Sequence, residues 1–206
     1  VTFGDGPEAD LAHVDGELRW RGEALMKASE VRLRGAHNLE NAMAAAAAAL
    51  ADGAPPGAVR DALRTFPGVP HRLEEVAERD GVLYVNDSKA TNVASAAVGI
   101  EAFDHGVHAI LGGSLKGGGF TGLRAPLAAR AGAAYLIGEA AERLAGDLEG
   151  TVPLVRSGTL EQAIADARAA AEPGDVVLLS PACASYDQFR DYEQRGDRFR
   201  ELATRA

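Results

Sequence analysis

The sequence predicts an α/β fold: a mostly parallel sheet with helices on both faces and a β-hairpin at one edge. Two patterns carry this. From residue 82 onward, short apolar runs alternate with longer runs of helical period, and runs as apolar as Val107-His108-Ala109-Ile110-Leu111 suit strands buried on both faces. Just before them, residues 73–78 and 82–86 flank Arg79-Asp80-Gly81, and an Asp-Gly pair between two such runs marks a hairpin. At 206 residues, 47% hydrophobic and 25% charged, the chain can bury a core of one large or two small domains.

Taken in order, residues 1–34 read as short alternating stretches: 11–14 and 17–20 around the hairpin pair Asp15-Gly16, then 31–33. An alanine-rich run reaching Leu50 and stopped at Asp52-Gly53 predicts a helix. Pro55-Pro56 opens another, with Val59, Ala62, Leu63 and Phe66 at helical spacing. The sequence Pro67-Gly68-Val69-Pro70 breaks the chain, and a domain boundary is placed there. Beyond the hairpin, strands are expected at 107–111, 134–137, 152–155 and 176–179. Helices are expected from 93 and at 123–131, 139–144, 160–171 and 187–204.

The net charge of −9 argues against broad nucleic-acid binding but leaves room for small anions held by local cations. No apolar run has the roughly 18 residues of a membrane span, and no signal peptide is recognisable. The single cysteine, Cys183, excludes an internal disulfide, fits a reducing compartment and reads as structural.

Three loops follow strands at the edge where open parallel sheets bind ligands. They are residues 86–92 (Asn-Asp-Ser-Lys-Ala-Thr-Asn), 112–119 (Gly-Gly-Ser-Leu-Lys-Gly-Gly-Gly) and 180–185 (Ser-Pro-Ala-Cys-Ala-Ser). The first leads into a helix, whose free N–H groups and dipole favour an anion. If the three strands are neighbours, Lys89, Thr91, Lys116 and Ser185 converge on a pocket suited to a small dicarboxylate or a phosphate. Singly, each loop also reads as ordinary turn and cap chemistry. The second is neither a dinucleotide fingerprint nor a Walker A loop. Asn38 and Asn41 share a helix face, one of them as a cap. His71-Arg72 taken alone reads as a solvated pair, His37 as a structural histidine, and His13, His105 and His108 show no company in the sequence.

Together these stretches resemble one family. Residues 35–41 (Gly-Ala-His-Asn-Leu-Glu-Asn), Pro70-His71-Arg72, residues 86–92, Leu111-Gly112-Gly113 with Lys116, residues 179–189 and Glu193-Gln194-Arg195-Gly196 occur in the order found in the Mur ligases of bacterial peptidoglycan synthesis. Within that family the chain is similar to the branch that adds D-glutamate.

The resemblance implies that residues 1–69 are the tail of an α/β ATPase-like domain and residues 70–206 a Rossmann-like amino-acid-binding domain. It implies a ligase reaction that uses ATP and Mg2+ to join D-glutamate to UDP-N-acetylmuramoyl-L-alanine through an acyl phosphate. It places Thr91, Lys116, Ser185 and Tyr192 at the D-glutamate carboxylates, Asn38 and Asn41 at adenine, and Arg72 and Asp87 toward phosphate and ribose. Lys89 and His71 fall at catalytic positions near the nucleotide. No metal ligand is expected in the chain itself. A cytoplasmic monomer is expected, with no nucleic-acid or membrane partner. Tyr192 stands where the family pattern has phenylalanine, and Ser114-Leu115 replaces an acidic residue and a glycine. The family's phosphate loop, carbamylated lysine and UDP-binding domain have no counterpart, so the chain reads as a fragment that is inactive alone; the alternative readings are a sister amide ligase with another amino acid and a non-catalytic nucleotide- or carboxylate-binding module.

Overall fold

The computed structural model describes residues 1–115 and 117–205. The chain forms two units, Val1–Gly68 and Val69–Ala206. In the first, strands β1 (Phe3–Asp5), β2 (Leu11–Val14), β3 (Glu17–Trp20) and β4 (Glu23–Lys27) form one sheet in that order. The pair Asp15-Gly16 turns β2 into β3, and Arg21-Gly22 turns β3 into β4; all four residues have positive φ, as tight hairpin turns require. Helices α1 (Ala36–Ala51) and α2 (Pro56–Thr65) follow. Met43, Ala46, Ala47 and Leu50 of α1 and Val59 and Leu63 of α2 pack with Leu11, Leu18, Leu25 and Met26 of the sheet.

Two expectations for this unit are corrected. Residues 31–33 are not a strand; the third antiparallel strand is β4, whose Glu-Ala-Leu-Met-Lys sequence favours a helix by propensity and is held extended by pairing with β3. Ala62 and Phe66 keep helical spacing but are exposed. Neither Asn38 nor Asn41 caps α1: Gly35 occupies the cap position at φ 92°, and the Asn38 amide donates to the Arg34 carbonyl at 2.8 Å.

The second unit carries a six-stranded sheet. Its strands are β5 (Glu74–Arg79), β6 (Val82–Asn86), β7 (Val107–Gly112), β8 (Ala131–Ile137), β9 (Leu154–Gly158) and β10 (Val176–Leu179). Their order across the sheet is β5-β6-β10-β7-β8-β9, and only β5 runs antiparallel. The helices are α3 (Val93–Glu101), α4 (Arg124–Arg130), α5 (Ala141–Asp147), α6 (Leu160–Ala170) and α7 (Tyr192–Thr204).

Alternate residues of each strand face opposite layers. Val85, Leu111, Leu136 and Leu178 pack with Ile100, Leu127 and Leu144 of α3, α4 and α5. Tyr84, Ile110, Tyr135 and Leu179 pack with Ile164 and Phe199 of α6 and α7. The expected Rossmann-like arrangement is thus present, with boundaries shifted by two residues or more at β8, β9, α5 and α7. Strand β8 starts three residues before the predicted Ala134. Helix α7 starts at Tyr192 rather than 187, because the Asp191 side chain accepts from the Gln194 N–H at 2.7 Å and sets the cap there. Among the described residues no helix is long and apolar enough to cross a membrane.

The strand ends approach each other too closely for side chains. A Cβ on Gly113, at φ 138°, would lie 2.2 Å from the Ala184 carbonyl oxygen. Gly113→Ala should therefore destabilise the fold by about 3 kcal/mol, read as a lower urea midpoint with unchanged slope. A wild-type midpoint would show that the two loops need not approach so closely.

Candidate functional site

Because β10 lies between β6 and β7, the three loops are neighbours. Backbone bonds tie them: Ala182 N–H donates to the Ala90 carbonyl at 2.9 Å, Gly112 N–H to Pro181 at 2.8 Å and Ser114 N–H to Ala184 at 2.9 Å. Among them opens a cavity of about 240 Å³, lined by Thr91, Asn92, Ser114, Phe120, Ala182 and Cys183 among others. The Asn92 side chain caps α3 by accepting from Ser95 N–H at 2.9 Å, which leaves the preceding N–H groups of the first turn at the cavity edge. Ser114 Oγ accepts from Asp187 N–H at 2.9 Å.

The expected convergence holds in part. Thr91 lines the cavity. Ser185 is 2% exposed and is not among the lining residues. Lys116 lies outside the described residues. Lys89 projects elsewhere: its Nζ sits 5.5 Å from the centre of the Tyr192 ring.

Lys89 joins a second cluster around His71. This residue is buried, not a solvated surface histidine, and its backbone is left-handed at φ 63°. The edge of one ring meets the face of the other where His71 and Tyr192 come together, 5.9 Å between centres. The Asn86 amide orients His71. Asn86 Oδ1 accepts from Ser88 N–H at 3.2 Å, so its nitrogen is the atom 3.0 Å from His71 Nδ1. Nδ1 is then an acceptor, and the neutral ring carries its proton on Nε2, 3.9 Å from the Asp197 carboxylate. Gly196 makes room for the ring: a Cβ there would lie 2.2 Å from Nδ1. Arg72 is exposed beside this cluster.

Asp87 points inward. Its carboxylate accepts from Ser180 Oγ at 2.8 Å and from Leu73 N–H at 3.3 Å, and Gly99 leaves space for it. Burial pushes its pKa up to about 6 against these hydrogen bonds and the nearby Arg72 charge. Asn38 is half-buried and Asn41 exposed on α1 in the first unit.

Sequence reading missed Arg195. It is fully buried, and burial pushes its pKa down to about 10. Its Nε donates to Ser88 Oγ at 2.9 Å, and its terminal nitrogens to the carbonyls of Ser88 at 2.9 Å, Cys183 at 3.1 Å and Ala184 at 3.3 Å. An arginine in a charged helix reads as a solvated residue, and its place in the run Glu193-Gln194-Arg195-Gly196 marked it without saying that it is buried. Two histidines also have company after all: His13 Nδ1 lies 3.0 Å from Asp5, and buried His108 sits between the Tyr135 hydroxyl at 2.8 Å and Asp175 at 3.2 Å.

Residues 71–183 match the family described as Mur ligase, glutamate ligase domain. The chain belongs to the Mur ligase family. Over 180 residues it is 53% identical to the UDP-N-acetylmuramoylalanine–D-glutamate ligase of Acidobacterium capsulatum, covering 87% of this chain and 39% of that protein. It is 46% identical to the ligase of the same name from Pseudomonas fluorescens, covering 96% and 46%. The chain thus spans less than half the length of these curated relatives. The crystal structure of UDP-N-acetylmuramate-alanine ligase from Thermotoga maritima shares the fold, with a TM-score of 0.67 at 16% identity over 98% of this chain and 47% of that one.

The raised pKa of Asp87 has a sign. The folded carboxyl keeps its proton up to about 6, whereas an ordinary aspartate titrates near 3.8. Its contribution to stability is complete below the lower value and is lost as pH rises through the upper one. Between about pH 4 and pH 7 the wild type should lose about 3 kcal/mol that Asp87→Asn retains. Urea unfolding of both proteins across that range checks it; parallel pH profiles would contradict a buried, proton-holding Asp87.

Proposed function

We propose that this chain is the C-terminal part of an ATP-dependent ligase that joins D-glutamate to UDP-N-acetylmuramoyl-L-alanine in cytoplasmic peptidoglycan precursor synthesis. The reading rests on the three-loop cavity in a chain whose relatives bear that name. A volume of about 240 Å³ bordered by a hydroxyl, a helix N-terminus and small residues suits a five-carbon dicarboxylate.

In this reading Thr91, Lys116, Ser185 and the Tyr192 backbone hold the two carboxylates and orient the amine. That amine attacks an acyl phosphate made from ATP and the sugar-linked carboxylate, and phosphate leaves. Orientation is the main contribution such residues make, because it turns a bimolecular attack into a local one. Arg72 faces phosphate, with Lys89 and His71 beside it; Asp87 lies near the ribose, its carboxylate turned inward to Ser180; Asn38 and Asn41 face adenine. Residues 1–69 belong to the ATP-binding domain and residues 70–206 to the amino-acid domain. Among the described residues no three His, Cys, Asp or Glu side chains group as a metal site. No step is assigned to a metal ion.

Two measurements test the reading. In the full-length enzyme, Lys116→Ala should raise the KM for D-glutamate roughly 10- to 100-fold, the cost of one charge-assisted contact, with KM for ATP little changed. Equal losses for both substrates would overturn the assignment of Lys116. The 206-residue chain, which contains no Gly-Lys-Ser/Thr loop, should release no phosphate from ATP in response to D-glutamate. Such release would mean that the chain carries its own phosphate-clamping residues.

A further inference from the structure

Arg195 is a buried cation whose bonds are all to neutral acceptors: one hydroxyl and three backbone carbonyls. Among the described residues no carboxylate lies within ion-pair reach of it. The Cys183 thiol and the Asp187 carboxylate act on it through space. The Asp187 oxygens, however, receive the Glu139 N–H at 3.1 Å and the Ser114 hydroxyl at 3.4 Å. Burying a guanidinium without a partner is costly. Four donations need the guanidinium's fork of N–H groups, which no neutral side-chain amide supplies, so the positive charge enters the wall together with the fastening.

Cys183 lines the cavity, and the Cys183 carbonyl accepts from Arg195, which puts the guanidinium one backbone layer behind the cavity wall. The Ala184 carbonyl accepts from both Ser114 N–H at 2.9 Å and Arg195 at 3.3 Å. Because the peptide is trans, the N–H of Ser185 points away from these donors and is polarised by them. A unit charge in a poorly solvated wall acts on a ligand carboxylate far more strongly than one in water.

We infer that Arg195 is a specificity-determining positioning residue, whose buried unpaired charge behind the cavity favours an amino acid with a second carboxylate over its neutral isostere. The inference rests on the D-glutamate reading.

The test compares kcat/KM for D-glutamate and for D-glutamine in the full-length enzyme, for wild type, Arg195→Lys, Arg195→Gln and Ser88→Ala. Lysine keeps the charge and should keep the preference for D-glutamate within about threefold. Glutamine keeps two of the N–H donors but no charge and should lower that preference about tenfold or more, about 1.4 kcal/mol. Ser88→Ala weakens the fastening and leaves the charge, so it should lower stability and spare the preference. If Arg195→Gln slows both amino acids equally, Arg195 only fastens loops and the inference falls. A lost preference in Ser88→Ala overturns it as well, even where Arg195→Gln does not fold. A wild-type enzyme indifferent to D-glutamate over D-glutamine is a separate failure, that of the substrate reading.

Discussion

The placement of β10 between β6 and β7 is the constraint on which the site depends. The last strand in sequence occupies the centre of the sheet, with Leu179 paired to Asn86 on one side and Ile110 on the other. Asp87 N–H donates to the Leu179 carbonyl at 2.8 Å, so the first loop leaves β6 in register with the end of β10. Three loops separated by up to about a hundred residues therefore emerge side by side. No local interaction could arrange them; only completion of the sheet does, so the site and the fold form together.

Close approach then decides the loop composition. Gly112 would place a Cβ 2.0 Å from the Ile137 carbonyl oxygen, Gly138 one 2.0 Å from the Asp187 carboxylate and Gly196 one 2.2 Å from His71 Nδ1. Each glycine admits a polar group where another residue would have filled the space. Gly99 does so for Asp87 and Ser180. The glycines thus set the positions of the functional side chains as much as the cap and staple hydrogen bonds do.

Much of this was legible in the sequence, for identifiable reasons. Apolar runs such as 107–111 and 176–179 announce strands buried on both faces, and Asp80-Gly81 and Asp15-Gly16 announce hairpins. The three loops announced themselves through small and polar residues after such runs. What stayed hidden was non-local. Strand β4 has a helix-favouring sequence and is extended only because β3 pairs with it. The short β1 pairs in parallel with β2, which no local pattern encodes. The order of strands, the burial of His71 and the inward turn of Arg195 depend on tertiary packing. Of the four residues expected to share one pocket, Thr91 lines the cavity, whereas Lys89 turns away and Ser185 is buried outside the lining, because spacing along a turn does not fix direction.

That turn separates two environments within five residues. Asp87 is directed into the protein toward Ser180, Lys89 outward over Tyr192, and Thr91 into the cavity. The fixed points between them are backbone bonds: Lys89 N–H to the His71 carbonyl at 3.1 Å and Ala90 N–H to Asp87 at 2.9 Å. Arg195 holds Ser88 from below by both its hydroxyl and its carbonyl. A side chain cannot swing from one environment to the other without breaking this backbone pattern. In the proposed reaction the groups that meet the nucleotide and those that meet the amino acid are therefore held at a constant separation by a single turn.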